Sequence, residues 1–372
     1  MARSPDHPSL ASLARALGVS TATVSNVYNR PERVSEELRA RVLAQAQKVG
    51  YAGPDPAARQ LRRGRSDVLG LIFTDELSFA FNDQASVGFL AGVADACAGS
   101  GRNLLLMPAG PPRGRASISA VDAASVDGVI VYSVPDDDPH LRAVLRRGLP
   151  TVVVDQPSAV AGADWVGLDD RTAARELALH LADLGHRRIG VITSRLGDSR
   201  YNGPVPETRW RAARYAVQRE RLHGLCDGFA DFGIAAHALP VEERFEASHA
   251  AGAGALDALL DRHPGLTAVC CLADVLALGA LDAARRRGLD VPGRLSITGF
   301  DDIAEASRAR LTTVHQPLAD KGRVAGEFLL RRLDHRPGSA HQAAGSHQAE
   351  RRTLPTSLEV RSSTGPASTP HP

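Results

Sequence analysis

Apolar residues recur at helical spacing three times within the first fifty positions, and afterwards they gather into short continuous runs. Leu10, Leu13, Ala14 and Leu17 share one face of a short helix behind Ser9; Val24, Val27 and Tyr28 share a face of a second behind Ser20. A third, capped by Ser35 and ended by Gly50, carries Leu38, Val42, Leu43, Ala46 and Val49. The pattern predicts three helices closing a small core, the first two joined by a turn at Gly18 in the manner of a helix-turn-helix. The outward face of the second helix is small and polar: Thr21, Ala22, Thr23, Ser25, Asn26 and Asn29. Short hydroxyl and amide groups approach a phosphate backbone or a base edge closely. A helix pair joined through glycine is also common in any helical domain, so the pattern alone leaves both readings open.

From Val68 onward, apolar runs at Val68 to Phe73, Leu104 to Met107, Val129 to Tyr132, Val152 to Val154, Ile189 to Ile192, Val269 to Leu272 and Leu295 to Thr298 predict strands. Helix-length stretches, among them Ala85 to Ala98, Arg171 to Leu184, Ser248 to Leu260 and Asp274 to Arg287, separate them. Continuous apolar strands alternating with amphipathic helices indicate parallel sheets covered on both faces. The 372 residues call for two or three domains, and the stretch from 68 to 362 suits two such lobes.

Charge sharpens the division. Residues 1–65 hold eleven Arg and Lys against five Asp and Glu, a balance of +6; the remainder holds 33 against 37, or −4. The basic end is the one suited to a polyanion. No run approaches the length of a spanning helix, and the amino terminus lacks the apolar core of a signal peptide, so a cytoplasmic protein is expected. Cys97, Cys226, Cys270 and Cys271 lie in apolar contexts without metal-ligand spacing and read as reduced core residues.

Between the two parts, the stretch from Gly53 to Arg65 pairs an Asp and a Pro with about two helical turns and a glycine stop. A helix this short is unstable alone in water, so in the unbound protein this stretch reads as a basic linker.

The run V-S-T-A-T-V-S-N-V-Y-N, followed by P-E-R-V-S-E-E-L-R-A-R-V and K-V-G-Y, resembles the DNA-binding headpiece of the LacI/GalR family. The segments V-G-L-D-D-R-T-A, H-L-A-D-L-G-H-R-R-I-G-V-I, R-L-S-I-T-G-F-D-D-I and L-T-T-V-H-Q-P-L are similar to that family's effector-binding core, and the resemblance runs from about residue 9 to 362. It implies an α/β protein: an all-α helix-turn-helix headpiece at 9–53, a hinge helix or linker at 54–66, and a two-lobed periplasmic-binding-protein-like core with parallel sheets at 67–362. Residues 1–8 and 363–372 are expected to be disordered.

The resemblance also implies sites. Ser9, Ser20, Thr21, Ala22, Thr23, Ser25, Asn26, Asn29 and Tyr51 fall on the headpiece's DNA-contacting positions, and Ala58, Arg59 and Leu61 on those of the hinge, where the leucine wedges into the minor groove. Asp155, Asp301 and Gln316 directly follow apolar runs, the place where open α/β sheets bind ligands, and match effector-contacting positions. Arg221 and Phe245 match an arginine and an aromatic that reach the ligand, and the loop Asp75 to Ser86, with Phe79, Phe81 and Asp83, is expected to wall the first lobe. Three crossings between lobes are implied near Trp165 to Leu168, Gly299 to Asp301 and Phe328 to Leu330.

Two departures stand out. Ala273 occupies a position where relatives usually carry asparagine, and the connection from Ser194 to Glu220 is longer than typical and rich in arginine: Arg195, Arg200, Arg209, Arg211, Arg214 and Arg219. Covering the cleft, contacting a partner subunit and being a solvated loop are the readings open for it. The stretch Pro337 to Arg352 reads as a flexible surface loop despite the neighbouring His335, His341 and His347.

Three functions compete. The first is a transcription regulator binding double-stranded operator DNA as a homodimer or higher oligomer, answering to a sugar, sugar phosphate or nucleoside-like effector, with no cofactor and no membrane. A solute-binding protein feeding a transporter is disfavoured by residues 9–65. An enzyme on a sugar-binding scaffold is disfavoured because no nucleophile, metal set or phosphate loop stands at workable spacing.

Overall fold

The computed structural model describes residues 8–53, 64–73, 80–81, 83–109, 115–334 and 348–368. They fall into two compact units divided between Ser66 and Asp67.

The first unit holds α1 (Leu10–Leu17), α2 (Thr21–Asn29) and α3 (Glu36–Lys48). Ser9 caps α1 in a reciprocal box with Ser12, Ser20 caps α2 through the Thr23 amide, and Ser35 caps α3 through Leu38. Gly18 sits at φ 66°, a left-handed turn that a side chain would strain. Leu13, Ala14, Val24, Val27, Val42 and Ala46 form the core. Leu43 and Val49, expected there, are 41% and 40% exposed. Leu43 lies about 100° round the helix from Val42, off the stripe that Leu38, Val42 and Ala46 form, and Val49 already stands at the cap beyond the last turn.

In the second unit the chain runs β1 (Val68–Phe73), α4 (Gln84–Ala98), β2 (Asn103–Pro108), α5 (Arg115–Ala123), β3 (Gly128–Tyr132), α6 (Pro139–Arg146), β4 (Thr151–Val154) and β5 (Asp164–Gly167). These strands, with β12 (Arg351–Thr353), make a wholly parallel sheet in the order β12-β5-β4-β3-β1-β2. The second lobe takes α7 (Asp170–Asp183), β6 (Ile189–Ser194), β7 (Gly203–Val205), α8 (Glu207–Arg211), α9 (Ala216–Ala230), β8 (Val241–Arg244), α10 (His249–Arg262), β9 (Ala268–Cys271), α11 (Asp274–Arg286), β10 (Ser296–Asp301), α12 (Ala304–Arg308) and β11 (Thr312–His315). With β13 (Ser357–Glu359) its sheet is ordered β13-β11-β10-β9-β6-β8-β7, parallel except at its antiparallel edges β13 and β7. The inner strands are buried along their length, which is why they read as continuous apolar runs.

One long helix, α13 (Leu318–Asp334), returns from the second lobe and crosses α4 of the first. Their backbones touch. A methyl group at Gly92 would overlap the Ala319 carbonyl oxygen, and one at Gly322 the Phe89 carbonyl oxygen, so glycine is required at both.

Three crossings join the lobes, and two lie elsewhere than expected. The first, after β5 at Leu168 and Asp169, is close to its expected place. The second is at Gln316 and Pro317, between β11 and α13, because β10, with Gly299 to Asp301, stays inside the second sheet between β9 and β11. The third is at Leu354 to Thr356, between β12 and β13, because Phe328 to Leu330 belongs to the interior of α13.

The expected disorder of 363–372 is corrected for 363–368. Ser363 O accepts from Ile297 N at 2.9 Å, its hydroxyl accepts from Thr312 N at 2.8 Å, and Ala367 N donates to Leu184 O at 2.8 Å. Small polar residues suggested disorder; here their backbone and hydroxyl groups bond to the beginnings of β10 and β11 and to the end of α7. Likewise Arg351 and Arg352, expected in a flexible loop, pair with β5. His335, His341 and His347 lie outside the described residues, as do Phe79, Ala58, Arg59 and Leu61.

Candidate functional site

On the headpiece, the predicted contact residues lie on the outer side of α2. Ser20, Thr21, Ala22 and Asn29 are exposed and Thr23, Ser25 and Asn26 half-buried. Some are already engaged. The Ser20 and Thr23 hydroxyls are 2.8 Å apart, and Asn29 Nδ2 donates to Ser25 O at 3.0 Å and Ser25 Oγ at 3.1 Å. Among the described residues the side chains of Thr21 and Asn26 make no such bond. Ser9 is held in its capping box, and Tyr51 packs edge-on to Tyr28 with ring centroids 5.9 Å apart. The surface therefore mixes fixed hydroxyls, suited to phosphates, with an unengaged hydroxyl and amide, suited to base edges.

Between the lobes of the core lies a cavity of about 140 Å³. The carboxyl ends of strands from both sheets build it: Ser133 after β3, Asp155 after β4, Ser194 and Arg195 at β6, Phe245 after β8, Leu272 after β9, Asp301 ending β10 and Gln316 after β11. Asp155, Arg221, Phe245, Asp301 and Gln316 are thus brought together as expected. Phe81 is not among the lining residues; it is 60% exposed. Asp83, two residues on, reaches the cavity because it caps α4 and its carboxylate points along the helix start, accepting from Ser86 N at 2.9 Å. Several lining residues had not been anticipated: Tyr132, Ser133, Gln156, Tyr215 and Gln218. Ser133 and Gln156 follow apolar strands as Asp155 does, so the same rule would have found them.

Three lining residues at strand ends hold positive φ: Ser133 at 53°, Asp155 at 62° and Asp301 at 128°. Such conformations are unfavourable for residues with a Cβ and collect at ligand sites, where they aim side chains away from the strand direction.

Buried charges are matched. Arg221 Nε donates to Asp170 Oδ1 at 2.8 Å, its Nη1 donates to Leu272 O at 2.8 Å and lies 3.9 Å from Asp301 Oδ1, and the guanidinium stacks 3.5 Å from the Phe300 ring centre. Lys321, buried on α13, stands 2.8 Å from Asp155 Oδ1 and donates to Gln316 Oε1 at 2.6 Å; Gln316 Nε2 donates in turn to Asp301 Oδ1 at 2.5 Å. Arg195 lies over both the Tyr215 and Phe245 rings, 5.4 Å from each centre. Burial pushes the Asp301 carboxyl well above the usual carboxylate range; Arg221 opposes the shift, while Asp274 and Asp83 add to it. Asp274 behind it is pushed up to about 6, again by burial first, although Thr313 Oγ1 and Ile303 N donate to it at 2.6 and 2.9 Å. Ala273 lines the cavity and precedes α11 without a side-chain cap, so this chain brings no polar side chain at that point of the wall.

One other constellation has the form of a hydrolytic triad. Ser117 Oγ is 3.0 Å from His140 Nε2, and His140 Nδ1 is 3.1 Å from Asp138 Oδ1. Asp138 also accepts from the His140 and Leu141 amides, and both His140 and Asp138 are fully buried. Asp138 caps α6, and the His140–Ser117 contact fastens that helix to α5.

Comparison with known proteins follows this division. Residues 9–53 match the bacterial regulatory proteins of the lacI family, and residues 178–364 match the periplasmic binding protein-like domain. The HTH-type transcriptional regulator Rv3575c of Mycobacterium tuberculosis is 47% identical over 323 residues, 87% of this chain and 90% of its own. A solved lacI-family regulator from Corynebacterium glutamicum is 37% identical, with a TM-score of 0.72 over 99% of this chain and 100% of its own. The transcriptional regulator CelR in complex with cellobiose is 26% identical, with a TM-score of 0.67 over 96% and 99%. Helix-turn-helix, two-lobed core and these likenesses agree: the chain belongs to the lacI family of bacterial regulatory proteins, and it is a DNA-binding transcriptional regulator rather than an enzyme.

Proposed function

We propose that this regulator is a homodimeric repressor in the cytoplasm whose affinity for a two-fold operator is set by a neutral, polyhydroxylated small molecule bound between the lobes. The observation that carries this reading is the convergence of Asp155, Arg221, Asp301 and Gln316 in one cavity formed by strand ends of both lobes. Neutrality is argued from the pairing already present: Arg221 with Asp170, Lys321 with Asp155, and Asp83 with the start of α4. An ionic ligand would leave one of these charges in excess in a buried place, whereas hydroxyl groups can donate to Asp301 and accept from Gln156, Gln218 or Arg195 without changing the balance. The cellobiose held by CelR is a ligand of this class.

A dimer is proposed because one three-helix headpiece offers too little contact for useful specificity. Thr21, Ala22 and Asn26 read bases in this account, while Ser20, Thr23, Ser25 and Asn29 hold phosphates; Ser9, Tyr51, Ala58 and Arg59 add backbone contacts and Leu61 the minor-groove wedge. Effector and operator bias the same equilibrium between lobe arrangements, so each changes the other's affinity by one factor. A thermal-shift screen across sugars, polyols, sugar phosphates and nucleosides tests the ligand class, since a ligand of the native state raises its stability. A shift with neutral polyols supports the reading. A response confined to phosphorylated compounds contradicts it.

A further inference from the structure

The arginine-rich connection from Ser194 to Glu220 is tied down at many points. Leu196 N donates to Glu243 Oε1 at 2.9 Å, and Arg209 holds the same carboxylate with bonds of 2.7 and 3.1 Å. Arg214 is fixed by its own amide, which donates to Leu196 O at 2.9 Å, and Arg219 Nη1 donates to Ala213 O at 2.6 Å. This part of the second lobe is therefore ordered by its own lobe, not a free loop.

From that platform two guanidinium groups reach the first lobe. Arg214 Nε donates to Asp137 Oδ1 at 3.2 Å, with Nη2 on the same oxygen, while Nη1 holds Asp198 of its own lobe; Arg219 Nη2 lies 3.9 Å from Asp136 Oδ2. The acceptors are equally well placed, because Asp138 directly after them is locked into the cap of α6. Arg214 holds the Asp137 carboxyl below its ordinary value through this hydrogen bond. Beside the pairs, Val217 N donates to Gln156 Oε1 across the cleft at 2.7 Å.

We infer that Arg214 and Arg219 with Asp136 and Asp137 form an ion-pair latch that holds the two lobes closed at this edge of the cavity. Exposed pairs contribute little to global stability, but two pairs between groups already positioned by their own lobes act on a much smaller quantity, the free-energy gap between open and closed arrangements. The latch's effect on ligand affinity depends on the cleft being the effector site as proposed; its effect on lobe opening does not.

Amide hydrogen exchange at Val217 in the full-length, ligand-free protein reads opening directly. Asp137→Asn and Asp136→Asn alter only the first lobe and leave the start of α9 untouched. Together they are expected to speed Val217 exchange by about three- to ten-fold, while Val129, whose amide donates to Pro150 O inside the first lobe at 2.9 Å, keeps its rate. In the unmodified protein, raising NaCl to 1 M shortens the Debye length to about 3 Å and is expected to do the same. An unchanged Val217 rate in the asparagine variants overturns the inference. Equal acceleration at Val217 and Val129 also overturns it, because the acids would then be holding their own lobe together. A ligand screen without hits would leave these rates as they are, so failure of the proposed function and failure of the latch are separable.

Discussion

Gln316 donates from Nε2 to Asp301 Oδ1 at 2.5 Å from the first residue past β11, where the chain leaves the second lobe for the first. The same amide accepts from Lys321 Nζ, which also pairs with Asp155. A hinge residue thus holds an acid of one lobe and, through one lysine, an acid of the other. Anything that displaces Asp301 or Asp155 pulls on the hinge.

Removing the cation from this chain is expected to be costly. Lys321→Met leaves the Asp155 carboxylate, largely covered in the cavity wall, without its partner and should destabilise the core by about 3–5 kcal/mol, read from urea unfolding. Adding Asp155→Asn should return part of that loss, because no charge is then left unpaired. A single variant as stable as the parent would show that Lys321 does not neutralise Asp155.

The contact between α4 and α13 predicts opposite signs for one kind of substitution. Gly92→Ala forces a methyl into the Ala319 carbonyl and should destabilise by about 1–3 kcal/mol or more. Gly254→Ala, on the exposed side of α10 where a Cβ meets nothing within 4 Å, should stabilise by about 0.4–1 kcal/mol. Thermal midpoints of the two variants on opposite sides of the parent's would bear this out.

Asp274 sets a pH dependence whose sign follows from its raised value. Its carboxyl titrates near 6 in the folded protein against an ordinary 3.8, so the folded state holds the proton more tightly. Stability should therefore fall as pH rises from about 4 to about 6, by on the order of 2–3 kcal/mol, and stay lowered above that; Asp301, raised by the same burial, acts in the same direction. Asp274→Asn should flatten the profile in that window. A stability that instead climbs steadily from pH 4 to 6 in both proteins would refute the assignment.

On the headpiece, Asn26 carries the unengaged amide of α2 and is suited to pair with adenine. Asn26→Arg should change the preferred base at one symmetric pair of operator positions. Binding-site selection returning the same operator for both proteins would remove Asn26 from the set of readers.

Much of the core was legible because its signal is local. Val68 to Phe73 is an apolar run broken only by Gly70 and forms β1 over the same residues. The rule that polar residues after such runs face a ligand brought Asp155, Asp301 and Gln316 to one cavity. What escaped has non-local causes. β8 carries Glu242 and Glu243, which look like solvated charges and are buried only because Arg262, Arg244 and Arg209 come to meet them. Lys321 carries no local signal, because its partners come from the residue after β4 and from the hinge. The later lobe crossings lie in short segments at Pro317 and Pro355 that carry no apolar pattern. The arginine connection left three readings open because its acidic partners are scattered from Asp136 to Glu243.

Operator titration with and without an activating ligand from the thermal-shift screen, for the parent and for Asp301→Ala, tests most directly the claim that the interlobe cavity is the sensor. The variant is expected to bind operator as the parent does in the absence of ligand and no longer to respond when ligand is added. An Asp301→Ala protein whose operator affinity still shifts with ligand as the parent's does would contradict it.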